Sequence, residues 1–235
     1  MKLAMRKVLV LGLAVACIAA ACGGEAGETP VDPIPADLAS VESAAESGFD
    51  AALAGDRTAV ADAVNTAASH WSSYRGHGAS DGVAADVLAA VDTAVANVNL
   101  LSAANATGPQ LARAFDAISA PMARIYGVYK PPVPATLLDL DYLGRELIVD
   151  ARVADLALAT LDLDRLVARW APFRSSVVAV GGDGQATAMD TTLANARRAI
   201  GARDVVSLEV AGVAETDVVD MIEKLFADRA RDGAD

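Results

Sequence analysis

A polar pattern written twice sets the terms on which this chain can fold. Trp71, Tyr74 and Arg75 are followed downstream by Asp92, Thr93, Ala96 and Asn97, and Trp170, Phe173 and Arg174 are followed by Asp190, Thr191, Ala194 and Asn195. The offset is 99 residues from Trp71 to Trp170 and 98 from Asp92 to Asp190, so one residue of loop length separates the copies. The apolar pattern extends the match, with Val64, Ala67, Trp71 and Tyr74 opposite Leu163, Leu166, Trp170 and Phe173. So long a period exceeds that of a solenoid repeat. It predicts two copies of a small domain, or two halves of one.

The spacing of apolar residues makes those copies helical. Leu38, Val41, Ala45, Phe49 and Leu53 recur at three and four, as do Val60, Val64, Ala67, Trp71 and Tyr74, and then Val83, Val87, Val91, Val95 and Val98. Thr107-Gly108-Pro109 opens a fourth helix through Leu111, Phe115, Ile118, Met122, Ile125 and Tyr129, which Pro121 should kink or divide. Beyond Lys130-Pro131-Pro132-Val133-Pro134, a fifth helix is expected through Leu137, Leu140, Leu147 and Leu158, with a soft point at Gly144. A sixth runs from Leu161 to Val180 with a bend at Pro172, a seventh through Met189, Leu193, Ala196 and Ile200, and an eighth through Leu208, Ala211, Val218, Ile222 and Leu225, fraying after Phe226. Gly76 to Gly82 and Gly181 to Gly184 read as matching glycine loops. The chain is 54% hydrophobic but 4% aromatic, and its abundant alanine suits closely packed helices. The expected class is all-α, two tandem four-helix up-down bundles making about eight helices.

The amino terminus reads as an export signal. Lys2, Arg6 and Lys7 precede an apolar run, Val8 to Ala21, that is too short to span a bilayer. It ends Ile18-Ala19-Ala20-Ala21-Cys22-Gly23-Gly24, which resembles the bacterial lipobox, with Ala19 where leucine is usual; the alternative is ordinary cleavage after Ala-x-Ala. The resemblance implies lipidation of Cys22, palmitate included, and anchoring in the cell envelope. In a two-membrane host, Gly23 after the cysteine implies the outer membrane, facing periplasm or cell surface. Cys17 would be removed with the signal, and one remaining cysteine allows no intramolecular disulfide. The expected organisation is signal peptide 1–21, flexible tether 22–35, first repeat 36–129, Pro-rich linker 130–136, second repeat 137–228 and disordered tail 229–235. A net charge of -12 excludes a nucleic-acid partner.

Catalytic motifs are missing. The sequence holds no Gly-x-Gly-x-x-Gly, phosphate loop, Gly-x-Ser-x-Gly or His-Glu-x-x-His, so neither an enzyme nor a cofactor is expected. The duplicated residues Trp71, Arg75, Asp92, Thr93, Asn97, Trp170, Arg174, Asp190, Thr191 and Asn195 are the best site candidates, as a ligand site or as a buried polar network that fixes helix register. No metal is assigned; His70 and His77 are weak candidates, which Asp81, Asp86 or Glu46 could join. Asp139, Asp141, Asp162, Asp164, Glu146 and Asp150 read as solvated helix faces and caps, with Arg145 and Arg152 alongside. Asp183 reads as a turn residue among glycines.

The export signal, the two-bundle layout and Ala54-Gly55-Asp56 before the Trp helix resemble the imelysin-like periplasmic proteins, exported helical domains linked to iron uptake. That resemblance implies an accessory protein for uptake that binds a metal or small ligand. The family's His-x-x-Glu motif is absent, since His70 is followed at the third position by Ser73 and His77 by Ser80. The reading drawn from the residues themselves is a non-enzymatic, membrane-tethered lipoprotein whose helical domain binds a partner or scaffolds an envelope assembly.

Overall fold

The computed structural model describes residues 34–232. The export signal, Cys22, most of the tether and residues 233–235 lie outside the described residues. Within them every regular element is a helix: α1 (Ala36–Ala54), α2 (Arg57–Gly78), α3 (Ala85–Ala103), α4 (Gly108–Ser119), α5 (Met122–Tyr129), α6 (Thr136–Val153), α7 (Leu156–Ala179), α8 (Asp183–Ala202) and α9 (Val205–Asp232). Pro121 divides α4 from α5, so the nine segments fill eight helical positions.

Several corners share one device, a left-handed residue that stops one helix before a cap opens the next. Gly55 has φ 75°, and Asp56 after it accepts hydrogen bonds from the N–H groups of Thr58 and Ala59. Ala154 has φ 57° and is followed by Asp155, which caps the Leu158 N–H; Arg203 has φ 55° and is followed by Asp204, which caps Val206 and Ser207. Among the described residues, all the left-handed ones but Lys130 pair off between the halves at the offsets of the Trp and Asp patterns. Gly55 corresponds to Ala154, Gly82 (φ 91°) to Gly181 (φ 89°), and Asn105 (φ 53°) to Arg203. Ala154 and Arg203 hold this conformation without glycine's freedom, a strain the flanking helices must impose.

Packing follows the same order twice. Helix α1 packs on α2 and α4, and α3 on the same two; α6 packs on α7 and α9, and α8 on the same two. Each ring encloses an apolar core, the first around Phe49, Trp71, Tyr74 and Phe115, the second around Leu140, Leu166, Trp170 and Met189. The rings meet where α4 and α5 lie against α6. Helix α6 serves both sides, with Ile148 and Val149 in the first core and Leu137, Leu140, Leu143, Leu147 and Ala151 in the second.

Several boundaries differ from the sequence expectation. Helix α2 continues through Gly76 and His77 to Gly78, because Gly78 packs under Leu88, where a Cβ would come within 2.8 Å of Cδ2. Asp183 is the first residue of α8, so half of the second glycine stretch is helix. Leu158 belongs to α7, since the Ala154-Asp155 corner ends the preceding helix. Gly144 is no soft point: α9 packs directly over it, and a Cβ there would lie 1.7 Å from Glu215 Oε2. Helix α7 runs on through Pro172, which stands on its exposed face, and α9 continues past Phe226 to Asp232.

Candidate functional site

The duplicated polar residues form the same small structure in each half. Trp71 Nε1 donates to Asp92 Oδ1 at 2.7 Å, and Trp170 Nε1 donates to Asp190 Oδ1 at 2.7 Å. Arg75 Nε then donates to Asp92 Oδ2 at 3.0 Å, and Arg174 Nε to Asp190 Oδ2 at 2.8 Å. Each indole ring is buried while its aspartate and arginine stay half-exposed, so the aspartate satisfies a buried N–H at the edge of the core. Thr93 and Thr191 are exposed and donate to carbonyls of their own helices, Ala89 and Thr187. Asn97 is exposed, and Asn195 accepts a hydrogen bond from Arg198 beside a groove between α8 and α9. The geometry is that of a helix-pairing clip.

His70 and His77 are held apart in role. His70 Nδ1 lies 2.6 Å from Asp37 Oδ1, and His77 is exposed in the last turn of α2. The carboxylates that could have joined them are engaged elsewhere: Asp81 accepts from the Tyr129 hydroxyl, Asp86 meets Arg124, and Glu46 faces Arg145.

The chemistry is inside, where four of the six acidic residues read from sequence as solvated turn out to be buried, while Asp164 is exposed and Asp139 half-buried. Asp141, Glu146, Asp150 and Asp162 are all buried, Asp150 completely. The physical reason is that α6 is covered on both sides, so a face that would be wet on a single bundle is enclosed by α4. Two arginines organise the result. Arg145, buried, lies 2.7 Å from Asp116, 2.5 Å from Asp141, 3.5 Å from Glu46 and 3.7 Å from Glu42. Arg113 reaches from α4 to Glu146 at 2.8 Å and Asp150 at 2.6 Å, and Asp162 takes Arg165 at 2.9 Å.

Carboxylates outnumber cations here, and several are incompletely bonded. Glu215, on α9 and fully buried, has no hydrogen-bond partner for either oxygen, and the same is true of Glu42. Asp116 Oδ2 and Asp150 Oδ2 are also buried without a partner. Burial drives the carboxyls of Glu215, Asp116 and Glu42 above their usual range, against the pull of Arg145. Burial raises Glu146 to about 7 and Asp150 to about 6, with Arg113 opposing and the neighbouring Asp162 carboxylate adding to the shift. Protons or another cation must make up the charge that two arginines do not.

One subset is compact. Glu146 and Asp150 of α6 and Asp162 of α7 each offer a carboxylate oxygen, and these oxygens all lie within 4.8 Å of one another. Glu215 was missed in the sequence although a signal existed. It falls at a core position between Ala211 and Val218, in the series Leu208, Ala211, Val218, Ile222, as Glu42 does between Leu38 and Ala45.

Comparison with family models, with curated proteins and with solved structures finds no match to this chain.

Proposed function

We propose that this protein is an exported, lipid-anchored helical binding protein whose acidic interior takes up a small cation. The carrying observation is Glu215, a fully buried carboxyl with both oxygens unbonded, in an interior where Arg145 already faces four other carboxylates. Structural networks normally satisfy their members, because an unmet buried polar group costs about 1–3 kcal/mol. An interior left short of positive charge is what a cation carrier needs. The halves are read as tandem copies of one four-helix unit, supported by the paired Trp-Asp-Arg clips and the paired left-handed corners. The acidic interior breaks that symmetry, since it gathers on the shared helix α6.

A native mass spectrum of the full chain purified without chelator tests the reading. We expect added mass of a small cation, lost on acidification; a spectrum at the apoprotein mass, unchanged after dialysis against metal ions and polyamines, would sink it. Anchoring rests on Cys22 after the apolar run and needs its own experiment. Wild-type protein should take up labelled fatty acid and partition into detergent, and Cys22→Ser should do neither.

A second reading, docking of a protein partner, is favoured by an exposed apolar row on α9. Val206 (69% exposed), Val210 (64%) and Met221 (47%) lie on that helix, and the first two line a groove of about 440 Å³ with Ala202 and Ala214.

A further inference from the structure

Resting on the reading that the acidic interior takes a cation, we propose that Glu146, Asp150 and Asp162 are the seat of a divalent metal ion of the hard, oxygen-seeking class, bound beside Arg113. Oxygens on opposite sides of such an ion stand at most twice the metal–oxygen distance apart, roughly 4–5 Å for Mg²⁺ or Ca²⁺. Three carboxylate oxygens already lie within 4.8 Å of one another, close enough for small side-chain shifts to bring all three onto one ion. Asp150 supplies the second, independent observation. Its side chain is fully buried, and while Oδ1 accepts from Arg113 at 2.6 Å, Oδ2 has no hydrogen-bond partner. One oxygen is thereby tied back and oriented, and the other is left for a ligand.

The donor set decides the class of ion. All three groups are carboxylates; the sequence's cysteines, Cys17 and Cys22, fall before residue 34, and His70 is committed to Asp37. Oxygen-only coordination selects Mg²⁺, Ca²⁺ or Mn²⁺ over ions that prefer thiolate or imidazole. Charge balance is simple. Among the described residues the three carboxylates face only Arg113 and the exposed Arg165, so negative charge is left for an ion to balance. Arg113 competes with the ion for the same negative charge.

Calorimetric titration of the full-length protein with Mn²⁺ tests this. One ion should bind per chain at pH 7.5. Asp150→Asn and Asp162→Asn should each weaken binding by about 10–100-fold, Arg113→Met should tighten it, and Glu215→Gln should leave it within about threefold. Asp162 bonds an exposed arginine, so Asp162→Asn is the variant to rely on if Asp150→Asn fails to fold by circular dichroism. Binding of spermidine but no metal would overturn the metal assignment while keeping the cation reading. Loss of Mn²⁺ in Glu215→Gln but not in Asp162→Asn would overturn the seat. No binding of any cation would overturn both.

Discussion

Single residues in this protein are at odds with their own stability, and Glu215 is the clearest. It is fully buried on α9 with neither oxygen bonded, at a position whose spacing calls for an apolar side chain. Replacing a buried charged or polar group by an apolar one of similar volume is often neutral or stabilising, by about 1–4 kcal/mol. Glu215→Leu should therefore raise the urea midpoint at pH 7.5, with the denaturant slope unchanged; a midpoint well below wild type would mean that the carboxyl is structurally needed. Such a residue was not legible as a site because its partners, Asp141 and Arg145, come from another helix far away in sequence. By contrast Trp71 with Asp92 and Trp170 with Asp190 could be picked out because the pairing is repeated. What repetition did not reveal was that the aspartates stay half-exposed, which makes the set a clip rather than a pocket.

Elements were easier to read than sites. Apolar spacing located every helix, since a 3.6-residue period depends on local sequence alone. It failed at corners such as Ala154-Asp155, where tertiary packing holds a non-glycine residue left-handed. The burial of Asp141, Glu146 and Asp150 was hidden for a related reason: sequence shows that a helix face is acidic, not that a second bundle covers it. The contact between α6 and α9 carries its own test. Gly212 lets α9 approach until a Cβ there would meet Ile148 Cγ1 at 2.8 Å and the Gly144 carbonyl oxygen at 3.2 Å. Gly144→Ala should then cost about 1–3 kcal/mol by overpacking against Glu215. Glu215→Ala in the same chain should recover much of that loss; equal destabilisation of single and double variants in thermal melts would show that the carboxyl is not what the methyl meets.

For the whole molecule, the buried acids tie stability to pH. The folded state holds protons on Glu146 up to about 7 and on Asp150 up to about 6, where the unfolded chain releases them in the ordinary carboxylate range. The folded state thus binds more protons, and stability falls as pH rises from about 4.5 to 7, by about 1.4 kcal/mol per unit for each such group. Melting temperatures should decline across that window, and saturating divalent metal should flatten the decline at its upper end. A melting temperature that rose steadily from pH 5 to 7.5 would show the acids to be ionised throughout. Helix α6 carries a last consequence, for the order in which the chain can be made. The first core contains Ile148 and Val149, so the amino-terminal half is complete only once α6 has emerged. A nascent chain halted at the prolines around residue 132 would be an unfinished body with an open flank, whereas one halted after Val153 would have its seam filled. The boundary that proteolysis of stalled chains should find lies past the linker, inside what the sequence marks as the second copy.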